Sequence, residues 1–195
     1  MALRFGEVTT DADIAATADM AHDIWFEYWP ALIGLPQTEY MVANMQSEEA
    51  ITRDIRSNGY RYWRLFDEAG TCVGYTGAKA EDFENDPDNP AANAHGDEIS
   101  KRALRRLFIS KIYLYKQERG KHYASRVIEF YEELCRKERL DAMYLTVNRG
   151  NELGIRAYLG RGFEVIEEVD GDIGNGFVMT DHIMCKMVPE SANER

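Results

Sequence analysis

The chain has 195 residues, 45% of them hydrophobic and 11% aromatic, enough for a substantial core in one domain spanning residues 1–195. Its 34 acidic and 23 basic residues leave a formal charge of -11, which argues against nucleic acid as the main partner, because a phosphate backbone needs a basic face. Cys72, Cys135 and Cys185 lack CxxC spacing, the four histidines lack ligand spacing, and no apolar run approaches the ~20 residues of a membrane span, so a disulfide framework, a metal site and a membrane anchor are all set aside.

With no charged-then-apolar pattern at the N-terminus, the expectation is a soluble protein of the reducing cytoplasm. Residues 4–9 read as a short strand, and Thr9, Thr10 or Asp11 can cap the helix that follows. In that helix Ile14, Ala18, Ala21, Trp25 and Tyr28 recur at helical spacing, and Pro30 ends it. Trp25, Phe26, Tyr28 and Trp29 cluster at its C-terminal end. They read either as a core stripe capping a sheet or, for Trp25, Tyr28 and Trp29, as the wall of a substrate pocket where rings pack on an alkyl chain or stack on a cation.

Beyond Gly34, Leu35 and Pro36, a helical segment with Tyr40, Met41 and Met45 leads to Ser47, which caps the helix SEEAITRDIRSNG. YRYWRLFD and TCVGYTGAKAE flank the turn EAGT and predict a hairpin of residues 60–67 and 71–80. Residues 81–100, EDFENDPDNPAANAHGDEIS, carry seven acids, two prolines and no Lys or Arg. That is loop chemistry: a solvated acidic insertion, with a cation-attracting rim or a dimer contact as alternatives. Residues 103–115 then predict a long central strand, residues 120–138 a helix with Ala124, Val127, Ile128, Tyr131, Leu134 and Cys135 in its stripe, and DAMYLTV (141–147) a buried parallel strand. From Asn148 a helix of about three turns runs to Gly160 and Gly162. FEVIEEV and FVMTDHIMCKMV form a closing antiparallel pair joined by the glycine-rich DGDIGNG, and residues 189–195 are expected to be a disordered tail.

The chemistry sits between the central strand and its helix, in the charged turn KQERGK. A strand that feeds a helix through a basic, glycine-containing turn presents backbone N–H groups and the positive end of the helix dipole at one point, an anion site suited to a diphosphate. Neither GxxxxGK[ST] nor GxGxxG is present. Arg119, Gly120, Lys121, His122, Tyr123 and Ala124 instead resemble the Q/R-x-x-G-x-G/A signature of the GCN5-related N-acetyltransferase (GNAT) family, with His122 standing where the family usually has its first glycine. A second motif follows about 27 residues later. The family pattern V-N-x-x-N-x-x-A-I-x-x-Y-x-x-x-G-F is matched by Val147, Asn148, Asn151, Ile155, Tyr158, Gly162 and Phe163, with Gly154 replacing the usual alanine. Asn151, Ile155 and Tyr158 share one helix face. The C-terminal stretch DIGNGFVMTDHIMCKMV resembles the subgroup that includes the spermine/spermidine acetyltransferase PaiA.

The resemblance implies an α/β (α+β) GNAT fold: a single mixed, mostly antiparallel sheet of about seven strands, helices on both faces and a splayed central parallel pair. It implies acetyl-CoA as acyl donor, no metal, and direct transfer to an amine. Backbone groups of Ile112, Tyr113 and Leu114 would pair with the pantetheine arm. Amides from Arg119, Gly120, Lys121, His122, Tyr123, Ala124 and Ser125 would hold the pyrophosphate. Asn151 would contact the cofactor arm, and Tyr158, beside the same cofactor, would protonate the departing thiolate. An ammonium of pKa about 10.4 needs a base, yet Phe108 occupies the strand position where many relatives carry a glutamate, so Asp181 is the candidate base or substrate anchor. The expected acceptor is a small-molecule amine, with polyamines first. A protein, peptide or antibiotic acceptor, or an acyl-CoA sensor without turnover, are the alternatives, and homodimerisation is left open.

Overall fold

In the computed structural model, which describes residues 2–82, 99, 102, 103 and 105–189, the strands are β1 (Arg4–Glu7), β2 (Arg61–Phe66), β3 (Cys72–Asp82), β4 (Arg105–Leu114), β5 (Ala142–Asn148), β6 (Glu164–Gly174) and β7 (Phe177–Met187). They form one seven-stranded sheet in the order β1-β2-β3-β4-β5-β7-β6. The helices are α1 (Asp11–Tyr28), α2 (Pro30–Ile33), α3 (Leu35–Met41), α4 (Glu48–Ser57), α5 (Tyr123–Glu138) and α6 (Glu152–Leu159). This is the mixed α/β arrangement the motifs imply, with β4 and β5 as a parallel pair. Most of the predicted acidic insertion and of the C-terminal tail lies outside the described residues. Among the described residues no helix is long and apolar enough to cross a membrane. By contacts the chain divides into two compact units, Met1–Lys79 with Ser110–Arg126, and Ala80–Ile109 with Val127–Arg195.

In the first unit, α1 opens on a full capping box. Thr10 Oγ1 accepts the Asp13 N–H at 3.1 Å, and Asp13 Oδ2 accepts the Thr10 N–H at 3.3 Å. The helix buries Ile14, Met20, Ala21 and Ile24 against Val8, Ile51, Tyr62 and Tyr75. Pro30 stops α1 as expected and at once becomes the first residue of α2, where its missing N–H costs nothing. The next helix, α3, loosens into a π-helical turn at Val42–Gln46 before Ser47 Oγ accepts the Ala50 N–H at 3.3 Å and starts α4. Along β3, Gly74 admits the backbone of β4: a Cβ there would lie 2.2 Å from the Tyr113 carbonyl oxygen. Thr76 Oγ1 donates to the Lys111 carbonyl at 2.6 Å, and the Tyr115 N–H donates to the Val73 carbonyl at 3.2 Å, fixing residues 111–115 against β3. The buried Lys111 ammonium lies 3.3 Å from Asp54, which also accepts the Tyr62 hydroxyl at 2.7 Å. Burial lowers the Lys111 pKa, and Asp54 opposes that shift.

The second unit corrects one reading of the sequence. Glu81 belongs to β3 and not to a solvated loop: its side chain is 3% exposed and pairs with the fully buried Arg106 of β4 at 2.9 Å. Tyr144 on β5 donates its hydroxyl to the same carboxylate at 3.0 Å, and its ring stacks on Phe108 with centroids 5.0 Å apart. The parallel β4–β5 ladder covers Arg106, Leu107 and Phe108 against Ala142, Met143 and Tyr144. Val127, Ile128, Tyr131 and Cys135 of α5 are buried, as their spacing predicts. The closing hairpin is tighter than its glycine content suggests. β6 runs through Gly174, and Asn175 and Gly176 alone turn the chain, at φ 55° and 77°, the pairing that a two-residue hairpin turn demands.

Candidate active site

The turn expected to serve as an anion site lies wholly in the first unit. After β4 the chain makes a short 3-10 turn at Lys116–Glu118, passes Arg119, and enters α5 at Tyr123. Gly120 takes φ +78°, and a Cβ there would meet nothing within 4 Å. His122 takes φ 62°, a left-handed conformation that glycine adopts at no cost. The departure from the family pattern is therefore one of side chain only, since the backbone bends as a glycine would bend it, and the exposed imidazole points away from the core. The first-turn amides of a helix of this length point along its axis, so a turn with this backbone fits a diphosphate. The expected result for His122→Gly is unchanged or tighter acetyl-CoA binding by calorimetry and a gain in stability of up to about 1 kcal/mol, the left-handed penalty less the added entropy of an unfolded glycine.

Two side chains of the turn are already engaged. Arg119 Nε donates to the Leu114 carbonyl at 3.3 Å while its guanidinium lies 4.4 Å from the centre of the Tyr28 ring. Lys121 pairs with Glu118 at 2.9 Å. From α1, Glu27 accepts the Lys116 N–H at 3.0 Å, so residues 27 and 28 brace the turn. Trp25 is 1% exposed, 5.0 Å from the Trp29 ring and 5.4 Å from the Tyr113 ring. The aromatic cluster of α1 thus packs on the residues expected to serve the donor: Trp25 and Trp29 lie in the core and Tyr28 lies on Arg119. Ile112, Tyr113 and Leu114 are half-buried on β4, and Tyr123 is buried at the start of α5, with Ala124 and Ser125 following it.

The second unit holds Asn151, Tyr158 and Asp181. Asn151 is the N-cap of α6, its Oδ1 accepting the Gly154 N–H at 3.0 Å. A Cβ on Gly154 would come 2.7 Å from Asn151 Nδ2, so glycine in place of the family's alanine lets the Asn151 amide fold onto the first turn. Tyr158 lies a turn further along, tilted against Phe163 at 5.8 Å, and burial pushes its phenol up to about 12. It is a proton-bearing donor at any physiological pH.

Asp181 is paired in register with Asn148 of β5 and Val169 of β6. It is 7% exposed, and its Oδ1 is buried without a hydrogen-bond donor among the described residues. Burial raises its pKa to about 6, with Arg149 pulling the other way. Asn148 Oδ1 accepts the Gly150 N–H at 2.9 Å and shapes the β5–α6 turn. Phe108 packs on Tyr144 and has no proton to give or take. Among the described residues no group of three or more His, Cys, Asp or Glu side chains is placed to hold a metal ion. Arg149 escaped the sequence reading. It fills an unspecified position of the V-N-x-x-N motif, and the signal for it was the acid run EEVDGD on the strand it meets.

Several crystal structures share this fold. The PaiA N-acetyltransferase of Thermoplasma acidophilum, in complex with coenzyme A, is 18% identical with a TM-score of 0.67, over 96% of this chain and 99% of that one. Arabidopsis thaliana NAA60 with a bisubstrate analogue is 15% identical with a TM-score of 0.67, over 97% and 100%. Mutant forms of the spermidine/spermine N-acetyltransferase SpeG of Vibrio cholerae are 15% identical with a TM-score of 0.61, over 95% and 93%. No curated protein matches the sequence. The sequence model of the acetyltransferase (GNAT) family matches residues 19–163, spanning both the turn before α5 and the Asn151–Tyr158 helix, and the chain belongs to that family.

Proposed function

We propose that the protein transfers the acetyl group of acetyl-CoA to a primary amine of a small molecule, with polyamines as the acceptor class, and that residues 1–195 act as one N-acetyltransferase domain. The observation that carries the reading is the backbone of the turn before α5, where Gly120 and His122 both take positive φ immediately ahead of a 16-residue helix, a setting that suits an anion at the helix start. The small-amine acceptor is supported by the net charge of -11, by the buried Asp181 carboxylate and by fold likeness to SpeG, a spermidine/spermine N-acetyltransferase.

Acetyl-CoA, when bound, supplies an activated thioester. The chain's own work is then divided among few groups. Amides of residues 120–125 hydrogen-bond the diphosphate, the expected Arg119 N–H being taken by the Lys116 carbonyl at 3.2 Å, and backbone groups of Ile112, Tyr113 and Leu114 align the pantetheine arm and donate to the developing oxyanion. Asn151 contacts that arm. Asp181 takes the proton of the incoming ammonium. A carboxylate of pKa about 6 faces a gap of about 6 kcal/mol to an amine of pKa about 10.4, against about 9 kcal/mol for one at the usual 3.8. Tyr158 keeps its proton until the sulfur departs and stabilises it by hydrogen bonding. With its phenol raised to about 12, complete transfer to a thiolate of pKa about 8.5 is uphill, so most of the benefit comes from donation.

Acetyl-CoA is expected to raise the melting temperature of the wild-type protein at micromolar concentration. Tyr158→Phe retains that stabilisation and loses roughly tenfold to a hundredfold in kcat, because water replaces part of the donation in a half-buried site. A Tyr158→Phe enzyme with unchanged kcat removes the phenol from the mechanism, and a melting temperature indifferent to acetyl-CoA removes the donor.

A further inference from the structure

Tyr158 is carried by a helix with little anchorage of its own. Every residue of α6 is half-buried or exposed, Leu153 and Leu159 among the exposed, so the helix is not fixed by an apolar face sunk in the core. Its position then depends on its two ends. The first is the Asn151 cap. The second is a closing turn with a full hydrogen-bond pattern: the Phe163 N–H donates to the Tyr158 carbonyl at 3.1 Å and the Gly162 N–H to the Leu159 carbonyl at 3.0 Å, with Gly162 at φ 83°. The apolar contact that accompanies this kind of turn is the Tyr158 ring on the Phe163 ring, and Phe163 is buried.

Lys186 of β7 ties that turn to α5. Its ammonium donates to the Arg161 carbonyl at 2.6 Å and to Glu132 of α5 at 2.5 Å. Arg161 reaches Glu129, about one turn earlier on α5, at 2.6 Å. The Lys186 stem runs along the turn, since a Cβ on Gly162 would lie 3.6 Å from Lys186 Cε. A cation on the last carbonyls of a helix also suits the negative end of the helix dipole.

We infer that Lys186 is a positioning residue for Tyr158, fixing the end of α6 through the Arg161 carbonyl so that the phenol keeps one orientation. The inference rests on the reading of Tyr158 as donor to the departing sulfur. The connection is short, because the Arg161 N–H donates in turn to the Tyr158 carbonyl at 2.9 Å. Misplacing a reacting group by about 1 Å can cost about a hundredfold in rate, so a loosened helix end is felt at the phenol.

Lys186→Met keeps the apolar stem and removes the ammonium. In the full-length protein it is expected to lower kcat roughly threefold to thirtyfold and to leave the KM for acetyl-CoA unchanged. Added to Tyr158→Phe it should cost almost nothing more, because the group it places is already gone. Lys186→Arg, which can still reach the Glu132 carboxylate and the Arg161 carbonyl, is expected to restore most of kcat. In ring-13C tyrosine NMR, with the Tyr158 signal assigned by its loss in Tyr158→Phe, Lys186→Met should shift or broaden that signal and Lys186→Arg should return it. A Tyr158 signal that stays in place in Lys186→Met overturns the proposal, as does a loss of kcat that repeats in full on the Tyr158→Phe background. Failure of the transferase reading shows separately, as a wild-type protein without amine-dependent turnover whose Tyr158 signal still follows Lys186.

Discussion

Glu81→Ala is expected to destabilise the protein by about 3–5 kcal/mol, read as a lowered urea midpoint at unchanged slope. Arg106 has a fully buried side chain, and Glu81 supplies the anion against which it is buried, at 2.9 Å. The same carboxylate accepts the Tyr144 hydroxyl at 3.0 Å, so the substitution strands a cation and a phenol together. Domains hold only about 5–15 kcal/mol in total, so the variant loses a large share of the protein's stability. The pair need not itself be strongly stabilising, because desolvating two charges offsets most of their attraction. The double variant Glu81→Leu with Arg106→Met is accordingly expected to recover most of the loss. If Glu81→Ala unfolds at the wild-type midpoint, the buried pair is not formed as described.

The second large effect belongs to Asp181. Asp181→Asn is expected to lower kcat by about a hundredfold to ten-thousandfold at neutral pH, the range for removing a positioned general base, while acetyl-CoA affinity stays the same. In the wild type, kcat/KM should fall with a slope of one as pH drops below about 6, the value to which burial raises this carboxyl. Stability should move the opposite way. A carboxyl whose folded pKa lies above its unfolded value stabilises the fold most when protonated, and that contribution is lost as pH rises through about 6. At pH 8 the asparagine variant should therefore be more stable than the wild type by up to about 3 kcal/mol, with a higher melting temperature and lower activity. An Asp181→Asn enzyme that is both fully active and no more stable would show the carboxylate to be an ordinary surface group.

The elements with strong periodicity or capping chemistry were legible directly. Thr10 and Ser47 announce α1 and α4 because their hydroxyls satisfy first-turn amides whatever the tertiary context. The turn at residues 119–123 was legible as the link between a strand and a helix, because its glycine and charged residues interrupt the apolar runs on either side. Glu81 was misread because composition works on windows: it opens a run of seven acids, and nothing local says that the first of them faces a buried arginine 25 positions later. The Asn175–Gly176 turn was hidden inside DGDIGNG, where several glycines compete for one bend and only strand pairing decides among them. Trp25 and Tyr28 were ambiguous for another reason. An aromatic side chain suits a core and a pocket equally, and the choice depends on neighbours such as Tyr113 and Arg119, which lie far away in sequence.

His122 shows how a motif can be kept in backbone and lost in letter. Left-handed φ at a non-glycine position costs on the order of 1–2 kcal/mol, so its retention at residue 122 marks a turn whose shape is held by the strand before it and the helix after it. Gly154 is the reverse case, where a smaller residue than the family's alanine makes room for the Asn151 amide at 2.7 Å from the missing Cβ.

Appearance of coenzyme A thiol on mixing the purified protein with acetyl-CoA and individual polyamines, followed with a thiol reagent at pH 8, tests the central claim most directly. The account predicts thiol release that depends on the amine, saturates with it and is lost in Asp181→Asn. Binding of acetyl-CoA without amine-dependent release on any polyamine or other primary amine would contradict it.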